Sequence, residues 1–151
     1  GVALFDRPVA IGDTFADGVF LRNGEPVLTD AERIAALEAR ILALQKQAKE
    51  IYIHPVLLDY MIDLVQATRS WPNIDMGVSP RGSLALVRAV RAYALVRGGA
   101  YVVPEDIKTV AVPVLAHRLQ LSGSVGSTDA QKKAMTDVLS SVALPTEDWS
   151  K

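Results

Sequence analysis

Three apolar stretches of helical period in this chain each open on a proline, at Pro55, Pro80 and Pro104. Proline suits the first position of a helix, because its fixed φ is already helical and its missing N–H would have no intrahelical partner there. After Pro55, Leu57, Leu58, Met61, Ile62, Leu64 and Val65 form a broad stripe that runs to about Ser70, ahead of Trp71-Pro72. After Ser79-Pro80, an N-cap and a first-position proline, Leu84, Leu86, Val87, Val90, Tyr93, Ala94 and Leu95 continue to the Gly98-Gly99 stop. Tyr101-Val102-Val103 is a short extended link. Pro104-Glu105-Asp106 then places two acids in a first turn, where the helix dipole favours them. Pro113 interrupts that pattern, which predicts a kink or two short helices ending near Arg118-Leu119.

Two further helices flank this central set. Thr29-Asp30-Ala31-Glu32 has capping-box spacing, and Ile34, Leu37, Ile41 and Leu44 recur at three- and four-residue steps toward Glu50. Ser122 to Ser127 reads as a Gly/Ser linker, followed by an amphipathic helix from about Thr128 to Val142 with Met135, Val138, Leu139 and Val142 inward. Beyond Pro145 only Trp149 offers a docking group. Residues 1–28 differ in character, with Pro8 and Pro26, Gly12, Gly18 and Gly24. Within them Asn23-Gly24 between Val19-Phe20-Leu21 and Pro26-Val27-Leu28 signals a hairpin, since both turn residues tolerate positive φ. The expected fold is all-α, a helical bundle with a short β-hairpin-like N-terminal extension. The expected divisions are an extension at 1–28, a helical domain at 29–121, and a linker with a packing helix at 122–151.

Composition removes several classes of function. The 151 residues contain no cysteine, so disulfide frameworks, thiolate zinc sites and cysteine nucleophiles are absent. Sixteen Lys+Arg against seventeen Asp+Glu give a net charge of -1, which disfavours binding of nucleic acid by bulk phosphate neutralisation. No apolar run approaches a membrane span of roughly 18 residues. The N-terminus also lacks a signal-peptide pattern, so the expected compartment is the cytoplasm. The chain opens on Gly1 rather than Met, which suggests a piece of a longer protein.

Few residues fall in catalytic spacing. Gly77 and Gly82 have P-loop glycine spacing, but Ser83 stands where the phosphate-binding lysine is required. No strand ends in an acidic pair suited to magnesium. His54 and His117, even with Asp59 or Asp63, do not fall in metal-ligand spacing; His54 reads as a helix-start residue and His117-Arg118 as a helix end. No catalytic residue and no metal site is expected.

One local oddity remains, in Gly77-Val78-Ser79-Pro80-Arg81-Gly82. If Ser79 caps and Pro80 is the first helical residue, Arg81 lies in the first turn, where the dipole disfavours a cation by about 0.3–1 kcal/mol. An anion bound between Arg81 and the free N–H groups of that turn would resolve the conflict. Pairing with Asp75 or Asp106, or simple exposure, would resolve it equally. Arg88 and Arg91, further along the same helix, read as a solvated or partner-facing stripe.

These residues also carry a resemblance. His54-Pro55, Leu58-Asp59-Tyr60-Met61-Ile62-Asp63-Leu64-Val65 with Thr68-Arg69, Gly77-Val78-Ser79-Pro80-Arg81, Tyr101-Val102-Val103-Pro104-Glu105-Asp106-Ile107 and Val114-Leu115-Ala116-His117-Arg118 follow one another as in the C-terminal lid domain of MoxR-type AAA+ ATPases. The resemblance covers roughly residues 50–121. It implies a small all-helical domain beside a nucleotide-binding core, with Arg81 as the sensor 2 arginine reaching the γ-phosphate of ATP, and Ser79 and Pro80 as positioning residues at that cofactor site. ATP and magnesium would be held mainly by the core, whose Walker, sensor 1 and arginine-finger residues are not found here. The implied partners are that core, neighbouring subunits of a ring oligomer, and client proteins of unknown identity, with no nucleic acid and no membrane. Residues 1–28 do not match the expected junction of core and lid. A stand-alone helical interaction module, meeting an acidic partner through Arg88 and Arg91, is the competing reading. A helix-turn-helix DNA binder is a third, disfavoured by the net charge.

Overall fold

The computed structural model describes residues 10–16, 19–123 and 127–146. Pro8, Gly18, the middle of the Gly/Ser linker and Trp149 lie outside the described residues. The chain divides into two compact units, Gly1–Gln45 and Lys46–Lys151. The boundary falls inside a helix.

In the first unit, β1 (Thr14–Ala16), β2 (Val19–Arg22) and β3 (Glu25–Pro26) form an antiparallel sheet in that order. The Asn-Gly hairpin is present: Arg22 pairs with Glu25, and Asn23 and Gly24 both have positive φ, at 54° and 84°. Strand β1 was not legible, because its three residues are too few to show alternation. Phe15 faces Phe20 across β1 and β2, with ring centroids 4.8 Å apart. Arg22 donates from Nε and Nη2 to the two Asp13 carboxylate oxygens at 2.8 and 2.9 Å, and the Ala10 N–H donates to the same group at 2.8 Å. These donors, Arg22 foremost, hold the Asp13 carboxyl down at about 2.

Helix α1 (Asp30–Glu50) starts at the expected capping box, with the Glu32 N–H donating to Thr29 Oγ1 at 3.2 Å and the Thr29 N–H to Glu32 Oε2 at 2.7 Å. None of its 21 residues is buried, and Ile34, Leu37, Ile41 and Leu44 are exposed. Its period is helical as read, but its apolar stripe is uncovered.

The second unit holds the bundle. Helix α2 (Pro55–Ser70) begins at His54, whose Nδ1 accepts the Val56 N–H at 3.3 Å, so this histidine is a cap. After β4 (Ile74–Met76) come α3 (Pro80–Val96) and α4 (Pro104–Leu115), a 3-10 turn at Ala116–Arg118, β5 (Gln120–Leu121) and α5 (Thr128–Ser141). Pro113 lies near the end of α4, which gives way at Ala116 to a 3-10 turn ending at Arg118, so the break the proline predicts is a change of helix type. Helix α4 packs on α3 and α5, and α2 on α3 and α5. Leu57 and Leu64, Leu86 and Val90, Ile107 and Leu115, and Met135 and Val138 are fully buried between them.

Two expected stripes are narrower than read. Leu58, Ile62 and Leu84 are exposed, while Tyr60 and Thr68 are buried, because the core meets one line of each helix and leaves its flanks to solvent. The pairing of β4 with β5 joins segments some 45 residues apart that carry no strand signal of their own. Between α3 and α4, buried Asp106 accepts Arg97 Nε at 2.8 Å, Arg97 Nη2 at 3.0 Å and the Val103 N–H at 3.0 Å. No helix among the described residues is long and apolar enough to cross a membrane.

Candidate functional site at the start of α3

The approach to α3 is built on the last turn of α2. Gly77 passes so close that an added Cβ would stand 2.8 Å from the Arg69 nitrogen and 2.8 Å from the Thr68 carbonyl carbon. Only glycine fits without moving backbone. Val78 follows, fully buried, with both of its backbone polar groups satisfied by α2. Its N–H donates to Thr68 Oγ1 at 3.0 Å, and its carbonyl accepts Arg69 Nε at 3.2 Å and Nη2 at 3.1 Å.

Ser79 is the N-cap by backbone, with extended angles (φ -75°, ψ 163°), and its carbonyl accepts the Gly82 and Ser83 N–H groups at 2.8 and 3.2 Å. Its side chain makes no cap hydrogen bond. Pro80 is the first helical residue, as the sequence predicts. Arg81 therefore stands in the first turn, exposed and without hydrogen bond or ion pair among the described residues. The two carboxylates considered as its partners are engaged elsewhere: Asp106 by Arg97, and Asp75 by the Ser122 hydroxyl.

Behind Arg81 the helix lies against the 3-10 turn. An added Cβ at Gly82 would meet Val78 Cγ1 at 2.5 Å and Arg118 Cδ at 3.3 Å, so the stem of Arg118 lies over this glycine. Arg118 Nε donates to the Val114 carbonyl at 3.0 Å and pairs with no carboxylate among the described residues. From its position alone Arg118 reads as a helix end; its place beside Gly82 comes from tertiary packing. Arg88 is exposed two turns along from Arg81, and Arg91 is half-buried.

The buried line of α3, Gly82, Leu86, Val90 and Ala94, faces the core and leaves Arg81 and Arg88 beside it. Chemically the site offers a guanidinium fork at a helix start, which suits phosphate or carboxylate oxygens through charge-assisted bonds. It offers no nucleophile with an adjacent base. Among the described residues no group of three or more His, Asp or Glu side chains is placed to hold a metal ion. Arg81 thus has the chemistry of a single phosphate contact, with no carboxylate cluster placed for a magnesium ion among the described residues.

Comparison with known proteins places this geometry in context. Residues 66–139 match the family described as AAA lid domain. The chain is 35% identical over 105 residues to the uncharacterized protein YeaC of Bacillus subtilis (strain 168), covering 69% of this chain and 33% of that protein. It is 37% identical over 115 residues to the chaperone MoxR1 of Mycobacterium tuberculosis, covering 70% of this chain and 30% of that protein. Among solved structures, one from Cytophaga hutchinsonii, provisionally described as an ATPase, aligns with a TM-score of 0.58 at 29% identity over 67% of this chain and 34% of its own. The chain spans about a third of the length of these relatives.

Proposed function

Since the chain belongs to the AAA lid domains of MoxR-type proteins, we propose that it serves as the lid of an ATP-hydrolysing enzyme and contributes Arg81 as its sensor 2 arginine. One observation carries this reading. Arg81 lies inside the matched family segment, at the start of α3, with a guanidinium that nothing among the described residues engages. A cation held against its own helix dipole is unfavourable until an anion arrives. The γ-phosphate of ATP, presented by a nucleotide-binding core that also holds magnesium, supplies that anion. Ser79 and Pro80 set the turn from which Arg81 projects. Charge-assisted hydrogen bonds from the guanidinium then link the presence of the γ-phosphate to the position of the lid.

The partners follow from that role: the core of the same protein, neighbouring subunits of a cytoplasmic ring oligomer, and client proteins of a chaperone-like activity. The test is Arg81→Ala in the full-length protein that joins this lid to its core. ATP turnover is expected to fall by about tenfold or more, the worth of a charged hydrogen bond, while the melting temperature of the lid does not fall. Unchanged turnover would sink the sensor role.

A further inference from the structure

The fixed point that precedes Arg81 belongs to α2, not to α3. Ser79 caps through its backbone carbonyl alone, so no side chain of its own ties the start of α3 to the rest of the bundle. The hold is at Val78. Its N–H goes to Thr68 Oγ1 and its carbonyl receives two donors from Arg69, while the Thr68 hydroxyl is itself oriented by donating to the Val65 carbonyl at 2.6 Å. Gly77 removes the side chain that would keep the two segments apart.

We infer that Thr68 and Arg69 are positioning residues that aim Arg81. With the N–H and the carbonyl of Val78 both held, the peptide planes on either side of it are fixed relative to α2. Only Ser79 and Pro80 then intervene before Arg81, and the φ of Pro80 is locked by its ring. The first turn of α3 is thus set in direction by two side chains of α2 bonded to the backbone ahead of it. A functional group must be held to within about 0.5 Å and 10–20° of its productive geometry, so loosening this latch misdirects the guanidinium even when the bundle stays folded.

The inference rests on the phosphate role of Arg81, and its test separates the two. In the full-length protein, dissociation constants for ATP and ADP are measured for Arg81→Ala, Arg69→Ala, Arg69→Lys, Thr68→Val, Thr68→Ser and the double variant R69A/R81A, with melting curves for each. A group aimed at the γ-phosphate sets the ratio of the two constants, whereas general loosening of the lid moves both together. Arg81→Ala is expected to lower the preference for ATP by about tenfold or more. Arg69→Ala and Thr68→Val should each lower it several-fold, Arg69→Lys and Thr68→Ser should recover part of it, and R69A/R81A should be no worse than Arg81→Ala alone. Thr68→Val keeps the shape of the buried side chain and serves where Arg69→Ala does not fold. An effect of Arg81→Ala with none in folded Arg69→Ala and Thr68→Val overturns the latch alone, as does full additivity in the double variant. No effect of Arg81→Ala overturns the phosphate reading and the latch with it.

Discussion

Gly77 and Gly82 are five residues apart and were first notable as the glycines of a phosphate loop that lacks its lysine. The structure gives each a steric reason instead. At Gly77 the obstacle is the backbone of α2, which cannot rotate aside; at Gly82 it is chiefly a Val78 methyl. Gly77→Ala is therefore expected to destabilise the bundle by about 1–3 kcal/mol, the usual range for forcing extra atoms into a packed site. Urea unfolding at equilibrium measures this, and a midpoint equal to wild type would show that the α2 turn yields freely. Arg81 was legible because a cation in a first helical turn breaks a rule that depends on sequence position alone. In the sequence Thr68 and Arg69 stand out only as part of the family resemblance, without a role. Their partner is the backbone of Val78, nine and ten residues on, and backbone groups carry no residue-type signature.

At the scale of elements, the helices were the most readable features, since caps and prolines act locally. Thr29 with Glu32, His54 with Pro55, and Ser79 with Pro80 each open a helix where the sequence placed it. Which face a helix covers is not local, and that is why the exposed stripe of α1 and the flanking Leu58, Ile62 and Leu84 departed from expectation. The small sheet has its own chemistry. Asp13 joins the Ala10 N–H to Arg22 on β2, and its carboxyl titrates at about 2 against an ordinary 3.8. A carboxyl depressed by folding stabilises the folded state above the ordinary value and loses that contribution as pH falls through the depressed one. The turn before β1 should thus loosen as pH drops from about 4 toward 2, while the hairpin at Asn23-Gly24 holds. A carbon-detected NMR titration of the Asp13 carboxyl tests this, with Arg22→Gln expected to return the midpoint toward the ordinary value. A wild-type midpoint near 3.8 would contradict the paired geometry.

For the whole molecule, the decisive quantity is how much of a nucleotide site one guanidinium can supply. The second unit is a packed helical domain with an apolar core, and among the described residues no carboxylate cluster is placed for magnesium; on the proposed reading Arg81 is its one contact with ATP. A charge-assisted hydrogen bond contributes about 1.5–3 kcal/mol, while a dissociation constant of 1 mM already requires about 4.1 kcal/mol before the freedom lost on association is counted. This chain by itself is therefore expected to bind ATP with a dissociation constant weaker than about 1 mM, with magnesium present or absent. Isothermal calorimetry at high protein concentration measures it directly. Tight stoichiometric binding would mean that the chain contains a complete phosphate site and that Arg81 is not one arm of a site completed elsewhere. Weak binding that Arg81→Ala abolishes, joined to a loss of turnover in the full-length protein, fits a lid whose specific contact with nucleotide is a single residue aimed by its neighbours.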